Sequence, residues 1–280
     1  MILLNSKKRL ITLLIVLVCG IIIFILGLGT TGLVDETPPL FAAAARTMSE
    51  SGDWLTPKVN GIFRFDKPPL IYWLMGFFYS LPKNEIWDSF GTLSARLPSA
   101  LASLFLMLMI GDTLFCWPQK SDRQFLTPIV ASLGFALSPL IIIWSRTAVS
   151  DALLTGTLGI SLLLFWRRMA SENNDQCISA WVFLGFAILV KGPVAFVLAL
   201  FTITSFFFCQ KNWKTLLSKI NPKKGFLITI LISAPWYILE LLKEGKPFWD
   251  NFFGYHNFQR YTSVVNNHAE PFWFFLYIMI

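Results

Sequence analysis

The chain has 280 residues, of which 55% are hydrophobic and 14% charged, with a net charge of +7 and a mean hydropathy of +0.61. A soluble domain carries about 25% charged residues, so this composition excludes an ordinary globular domain and predicts an all-α polytopic membrane protein. The basic excess fits cytoplasmic loops and anionic lipid rather than nucleic acid. The four cysteines, Cys19, Cys116, Cys177 and Cys209, have neither metal nor disulfide spacing and are expected as free thiols.

Lys7, Lys8 and Arg9 precede an apolar run from Leu10 to Gly29. The run exceeds the ~7–15 apolar residues of a signal peptide, and no small-x-small cleavage site follows. It reads as an uncleaved first transmembrane helix with its N-terminus in the cytoplasm, which puts the loop 30–91 outside. In that loop Pro38-Pro39 predicts the start of a surface helix running to Ser51, with Gly52 as its stop. Lys58 to Phe65, around Asn60-Gly61, predicts a small hairpin. Leu70 to Leu81 is too short to span and rich in aromatics, so it is expected to be interfacial or re-entrant.

Further spans are predicted at Thr92–Phe115, Phe125–Trp144, Ala148–Trp166, Ile178–Val190, Val194–Cys209, Phe226–Leu242 and from Pro271 onward, about eight in all. Lys191-Gly192-Pro193 divides the fifth from the sixth, read as two spans joined by a tight external turn. On this topology 12 of the 23 basic residues and four of the 16 acidic ones lie inside, which satisfies the positive-inside rule. Residues 1–280 thus read as one transmembrane domain. Ile280 falls inside an apparent span, so the sequence is expected to be part of a longer protein.

The external edge collects the unusual residues. Ionisable groups at membrane depth are costly and are functional suspects. Asp35, Glu36, Asp66, Lys67, Asp151, Lys191 and Arg260 all fall there. Asp151 also suits a plain helix start, complementing the macrodipole with Arg146 as partner. Asp35-Glu36 also suits capping of the surface helix, Lys191 suits snorkelling, and Glu50 and Asp53 read as solvated loop charges. His256 and His268, the only histidines, have no Cys partner and make a weak metal signal. The mixture of carboxylates and cations fits attack by a hydroxyl or amine on a sugar carbon with departure of a lipid phosphate. A carboxylate serves as base, and Lys and Arg stabilise the departing phosphate. The chain has no P-loop and no dinucleotide glycine fingerprint.

Five stretches carry a resemblance: DETPPLFAAAARTMSESGDWLTPKVNGIFRFDKPPLIYWLMG, SARLPSALA, SRTAVSDALL, LVKGPVAFVL and FFGYHNFQRYTSVVNNHAEPFW. In this order they resemble bacterial glycosyltransferases of the lipid A aminoarabinose transferase type, related to protein O-mannosyltransferases and sharing the C-type glycosyltransferase fold. The resemblance covers roughly residues 10 to 280, the N-terminal half of such an enzyme. It implies a polyprenyl-phosphate-linked sugar donor, a lipid, glycan or protein acceptor, and a site facing the periplasm from the bacterial inner membrane. It also implies Asp35 as general base or acceptor-binding carboxylate, Asp151 as second carboxylate, and Lys67 and Arg260 on the donor phosphate with Lys191 close by. Relatives carry Glu, implicated in metal binding, where this chain has Asp66. Their histidine-rich segment reads Tyr255-His256-Asn257 here, which leaves a divalent metal open, with Asp66 and His256 as its weak candidates. Pro38-Pro39 replaces the Arg-Tyr that follows the acidic pair in many relatives.

Two other classes compete: a transporter or lipid flippase handling an anionic head group, and a non-catalytic assembly partner. Transporters show repeat symmetry and midplane polar groups, whereas these charges lie at the external edge and no repeat is found. The topology is open to direct test. Cysteines placed at Lys7, Arg167 and Lys219 in a cysteine-free background should react with an impermeant thiol reagent only after permeabilisation. Cysteines at Asp53 and Asn257 should react before it, and the reverse pattern would invert the topology.

Overall fold

The computed structural model describes residues 2–82, 88–117, 123–170, 177–210, 212–259, 271 and 273, and it is helical apart from one short hairpin. Helix α1 (Ile2–Gly20) continues into a π-helical turn, Ile21–Ile25. The last carbonyls of a helix have no partner within it and favour a cation. Two arginines meet these carbonyls and the turn beyond them. Arg146 donates to the carbonyls of Ile23 and Leu26 at 2.9 and 3.0 Å. Arg96, buried near the start of α4 (Leu93–Cys116), donates to the carbonyls of Leu28 and Gly32 and to the Thr31 hydroxyl at 2.7–2.8 Å. Arg146 therefore serves α1 and is not the partner expected for Asp151.

Helix α2 (Thr37–Ser51) begins with Pro38 and Pro39 in its first turn, where their missing N–H groups leave no bond unmade. Its buried face, Phe41, Ala44, Ala45 and Met48, repeats at helical spacing. The hairpin follows: β1 (Lys58–Val59) pairs antiparallel with β2 (Ile62–Phe63). Asn60 and Gly61 both have positive φ, 52° and 80°, the combination a two-residue hairpin turn requires. Helix α3 (Leu70–Tyr79) buries Ile71, Tyr72 and Met75. Helices α2 and α3 share one core with α4 and with α7 (Ser150–Ala170), through Ala95, Ala102 and Leu153. Full burial of side chains such as Phe41 and Met48 contributes about 1.5–3 kcal/mol each, so the segment from α2 to α3 is docked on the bundle rather than suspended over it.

The expected span Phe125–Trp144 is two helices, α5 (Leu126–Ala136) and α6 (Pro139–Ser145), bent by 67°. Pro139 lacks the N–H that would continue α5, and Ser138 before it turns extended with ψ 127°. Helix α8 (Ile178–Lys191) and α9 (Pro193–Phe208) fold back on each other, so that Leu184 and Ala199 share a cluster. They are followed by α10 (Trp213–Ile220), α11 (Pro222–Glu244), the short α12 (Lys246–Phe248) and a π-helical segment, Trp249–Gln259.

Among the described residues three helical stretches are long and apolar enough to cross a membrane: Ser6–Ile25, Leu93–Cys116 and Pro222–Glu244. The bent α5–α6 pair makes a fourth if counted as one span. Helix α7 has 21 residues but carries Asp151, Arg167 and Arg168 near its ends. With 14 and 16 residues, α8 and α9 fall below the ~20 residues a spanning helix usually has. The span expected from Pro271 lies outside the described residues apart from 271 and 273. The four cysteines are free thiols.

At one end of the bundle Asp112, near the end of α4, receives Arg9 from α1 at 2.6 Å and Arg167 from the last turn of α7 at 2.9 Å. All three were expected on one side, and they do meet. Along the bundle, small residues set the helix spacing, as in membrane bundles generally. A Cβ on Gly156 of α7 would lie 2.8 Å from both the Cβ and the carbonyl oxygen of Ala102 on α4, whereas a Cβ on Gly134 of α5 meets nothing within 4 Å. Gly156→Ala should therefore push α4 from α7, at about the 1–3 kcal/mol typical of overpacking, and lower the melting temperature. Gly134→Ala should leave it unchanged or raise it. Equal melting of both variants would contradict the close packing of α4 on α7.

Candidate active site

The opposite end of the bundle gathers a polar cavity of about 520 Å³. Six separate elements line it, α9 among them through Val194. Helix α2 supplies Thr37 and Phe41, the segment after the hairpin supplies Arg64, Asp66 and Lys67, and the start of α7 supplies Ser150 and Asp151. Lys191 comes from the end of α8, and Phe252, His256 and Asn257 from the π-helical segment. The turn between α8 and α9 makes this convergence possible. Gly192 has φ 78° and ψ −154°, a conformation essentially reserved for glycine. A Cβ there would also lie 3.2 Å from the Phe252 ring.

Arg64 and Asp66, two residues apart on extended chain, form an ion pair at 2.8 Å. The Tyr72 hydroxyl donates to the second Asp66 oxygen at 3.0 Å and accepts from Arg64 Nε at 3.1 Å. Burial, with the Asp66 charge adding to it, pushes that hydroxyl well above its ordinary pKa, so it stays a proton donor. Tyr72 stacks on Phe41 at 5.3 Å, and the Arg64 guanidinium lies over the same Phe41 ring at 5.0 Å. Lys67 donates to the Asp66 carbonyl at 2.9 Å. Across the cavity, Lys191 pairs with Asp151 at 2.6 Å. Three cations therefore face two carboxylates, which gives the cavity a positive excess.

The expected residues fall into three groups. Lys67, Asp66, Asp151, Lys191 and His256 share the cavity. Asp35 and Glu36 do not line it: both are exposed, on the strand of chain leading to Thr37, which does. Asp35 is held with φ 76° and accepts the Glu36 amide through its own carboxylate at 2.7 Å. A non-glycine residue in the left-handed region is uncommon, and such strain concentrates at functional sites. Glu36 makes no side-chain cap to α2. Arg260 and His268 lie outside the described residues. Arg64, Tyr72, Thr37 and Asn257 are members that sequence reasoning missed. The Arg64-x-Asp66 spacing was the available signal, since alternate residues of an extended chain share a face.

As to a metal, Asp66 spends both oxygens on Arg64 and Tyr72. Among the described residues no three His, Cys, Asp or Glu side chains come together as a ligand set. Asp66 and His256 by themselves make no ligand set among the described residues.

A second network ties the loop 53–58, which leads into the hairpin, to α11. Asp53, expected to be a solvated charge, instead pairs with Lys243 of α11 at 3.0 Å and Lys58 at 3.3 Å. Thr56 donates to the buried Glu240 at 3.1 Å, and Trp236 Nε1 donates to the Leu55 carbonyl at 3.0 Å. Trp73 Nε1 does the same for Trp54 at 2.6 Å.

The bundle and its cavity define a multi-pass helical membrane protein with a cation-rich pocket at one end of its helices. Residues 66–239 match the family model described as dolichyl-phosphate-mannose-protein mannosyltransferase, and the chain belongs to that family. It is 25% identical over 261 residues to undecaprenyl phosphate-alpha-4-amino-4-deoxy-L-arabinose arabinosyl transferase 2 of Pseudomonas fluorescens, covering 92% of this chain and 45% of that protein. It is 27% identical over 251 residues to the corresponding Edwardsiella ictaluri transferase, covering 88% and 43%. The fold matches the crystal structure of ArnT from Cupriavidus metallidurans bound to undecaprenyl phosphate. The TM-score there is 0.78 at 22% identity, over 95% of this chain and 47% of that one. The chain spans about half the length of the curated relatives it matches.

Asp53 gives the site a pH signature. Burial pushes its carboxyl up, but hydrogen bonds from Lys243, the Leu55 and Thr56 amides and Lys58 outweigh this and hold it at about 2. An ordinary Asp titrates near ~3.9, so the contribution to stability is complete above about pH 4 and is lost as pH falls toward 2. Proteolysis of the 53–58 loop should accelerate over that window in the wild type. Asp53→Asn should cut readily at every pH, and a variant as resistant as wild type at neutral pH would contradict the clamp.

Proposed function

We propose that this chain forms the transmembrane catalytic part of a glycosyltransferase that takes a sugar from a polyprenyl-phosphate donor and passes it to a lipid, glycan or protein acceptor. The observation that carries this reading is the cavity where Arg64, Lys67 and Lys191 meet Asp66 and Asp151 at one end of the bundle. Membership in a mannosyltransferase family supports it, as do relatives named for undecaprenyl-phosphate aminoarabinose transfer. Lipid A-type modification follows from those relatives, and the charge sorting supports a periplasmic site at the bacterial inner membrane. The position of the charges at one end, rather than midway along the helices, favours an enzyme over a transporter.

In this scheme Lys67, with Arg64 beside it, binds the donor phosphate and stabilises the charge that collects on it as the bond to the sugar breaks. Lys191 is held by Asp151 on the facing wall and adds to the same field. The sequence resemblance assigns Arg260 to the phosphate as well. The attacking hydroxyl or amine gives its proton to a carboxylate. Asp35 suits that task better than Asp151, because Asp151 would have to surrender its ion pair to accept a proton. Asp151 then orients Lys191 and the acceptor. Phe41, buried beneath the Arg64 guanidinium and stacked on Tyr72, holds that guanidinium in place.

Transfer of radiolabelled sugar from a polyprenyl-phosphate donor by the full-length gene product tests the scheme. Asp35→Asn should lose about 10²–10⁴-fold in rate, as loss of a general base does, while inserting normally. Lys67→Ala should raise the donor's apparent KM with the acceptor's little changed. Arg64→Lys should lose turnover although the charge is kept, because the planar fork that meets both Asp66 and Tyr72 is gone. Near-normal transfer by Asp35→Asn and Lys67→Ala together would defeat these assignments.

A further inference from the structure

The end of the bundle remote from this site holds a second polar cavity that the transfer scheme does not use. It is small, about 220 Å³, and lies between the end of α7, the start of α8, α10 and the start of α11. Arg168, Lys219 and Lys224 line it together with Ser218 and Asn221. Its base is rigid. Trp181 donates to the Ile220 carbonyl at 2.9 Å and packs edge-on against Phe165 at 4.8 Å. Lys219 is positioned by donating to the Met169 carbonyl at 3.1 Å. Helix α11 begins here, so its positive end adds to the field of the three cations.

The surroundings decide what kind of anion fits. Helix α10 buries Ile220 and packs Leu216 and Leu217 on the bundle, while Trp213 and Lys214 are exposed. An amphipathic helix with this division lies in the membrane interface, with tryptophan at head-group level. Ile178, on the rim, is an exposed apolar side chain. Basic pockets between transmembrane helices are the geometry that recognises anionic lipid head groups.

We propose that this cavity binds the phosphate head group of an anionic phospholipid, with Arg168, Lys219 and Lys224 as its charge contacts and α10 as the element lying alongside it in the interface. The proposal is independent of the transfer chemistry at the other end. Inorganic phosphate shares the head-group chemistry, but it has no use for the apolar rim and the interfacial helix, so the lipid is the assigned source.

Native mass spectrometry and thermal unfolding of the purified full chain in detergent test this, with phosphatidylglycerol, phosphatidylcholine and inorganic phosphate as probes. Phosphatidylglycerol should be retained and should raise Tm by several degrees, while phosphatidylcholine and equimolar inorganic phosphate should not. Lys224 is exposed, so Lys224→Gln should fold, and with Lys219→Gln it should lower phosphatidylglycerol retention at least fivefold. Lipid-free Tm reports any folding defect separately, and Lys58→Gln, far from this end, should retain phosphatidylglycerol like wild type. Equal retention by wild type and the double variant overturns the proposal, and a Tm rise reproduced by inorganic phosphate overturns the lipid assignment.

Discussion

The cost of an unpaired charge in a low-dielectric interior governs this molecule. Helices satisfy their own backbone there, but ionisable side chains must reach the ends or find partners. Both solutions are visible. Arg9, Asp112 and Arg167 close one end as an ion triad. Arg64 with Asp66 and Lys191 with Asp151 pair on facing walls of the cavity at the other. Arg96, buried in α4, spends its guanidinium on two carbonyls and a hydroxyl at the exit of α1. The same rule that banishes charge from the middle concentrates it at the two ends of the bundle, each of which holds a polar cavity.

That concentration has to be shaped before it becomes a site, and the segment from α2 to α3 shapes it. Helices α2 and α3 press an apolar face onto α4 and α7, which brings Arg64, Asp66 and Lys67 over the start of α7. The aromatic cluster of Phe65, Trp236, Phe248 and Phe252 anchors the same segment from the other side. Phe65 sits between Arg64 and Asp66 in sequence and points to the opposite face of extended chain. One apolar side chain thus fixes the direction of two charged ones. The Asp53–Lys243 pair and the Trp236 bond to the Leu55 carbonyl hold the loop at its far edge.

Much of this was legible in the sequence. Hydropathy gave the helices, Asn60-Gly61 gave the hairpin, Pro38-Pro39 gave the start of α2, and the sorting of basic residues brought Arg9, Asp112 and Arg167 to one side. What local pattern does not encode is which partner a long side chain selects. Arg146 follows a span and precedes Asp151 by five residues, so a local pairing looked natural, yet its guanidinium reaches the carbonyls of Ile23 and Leu26, more than a hundred residues away in sequence. Asp53 looked solvated for the same reason, because Lys243 is invisible from its own loop. Ser138-Pro139 was readable as a break, but an apolar run on both sides concealed it. Arg64 is legible only through its period-two pairing with Asp66 on an extended chain, a signal that no single residue carries.

In the proposed scheme the cation-lined cavity, rather than the apolar surface of the bundle, receives the phosphate of a polyprenyl donor. Photo-crosslinking addresses it most directly: a polyprenyl phosphate carrying a diazirine beside the phosphate, irradiated with the full-length protein in membranes and mapped by mass spectrometry. Adducts on residues 64–67, around Lys191 and on residues 252–257, suppressed by Lys67→Ala, are the predicted result. Adducts confined to the end of the bundle holding Arg9, Asp112 and Arg167, or unaffected by Lys67→Ala, would contradict it.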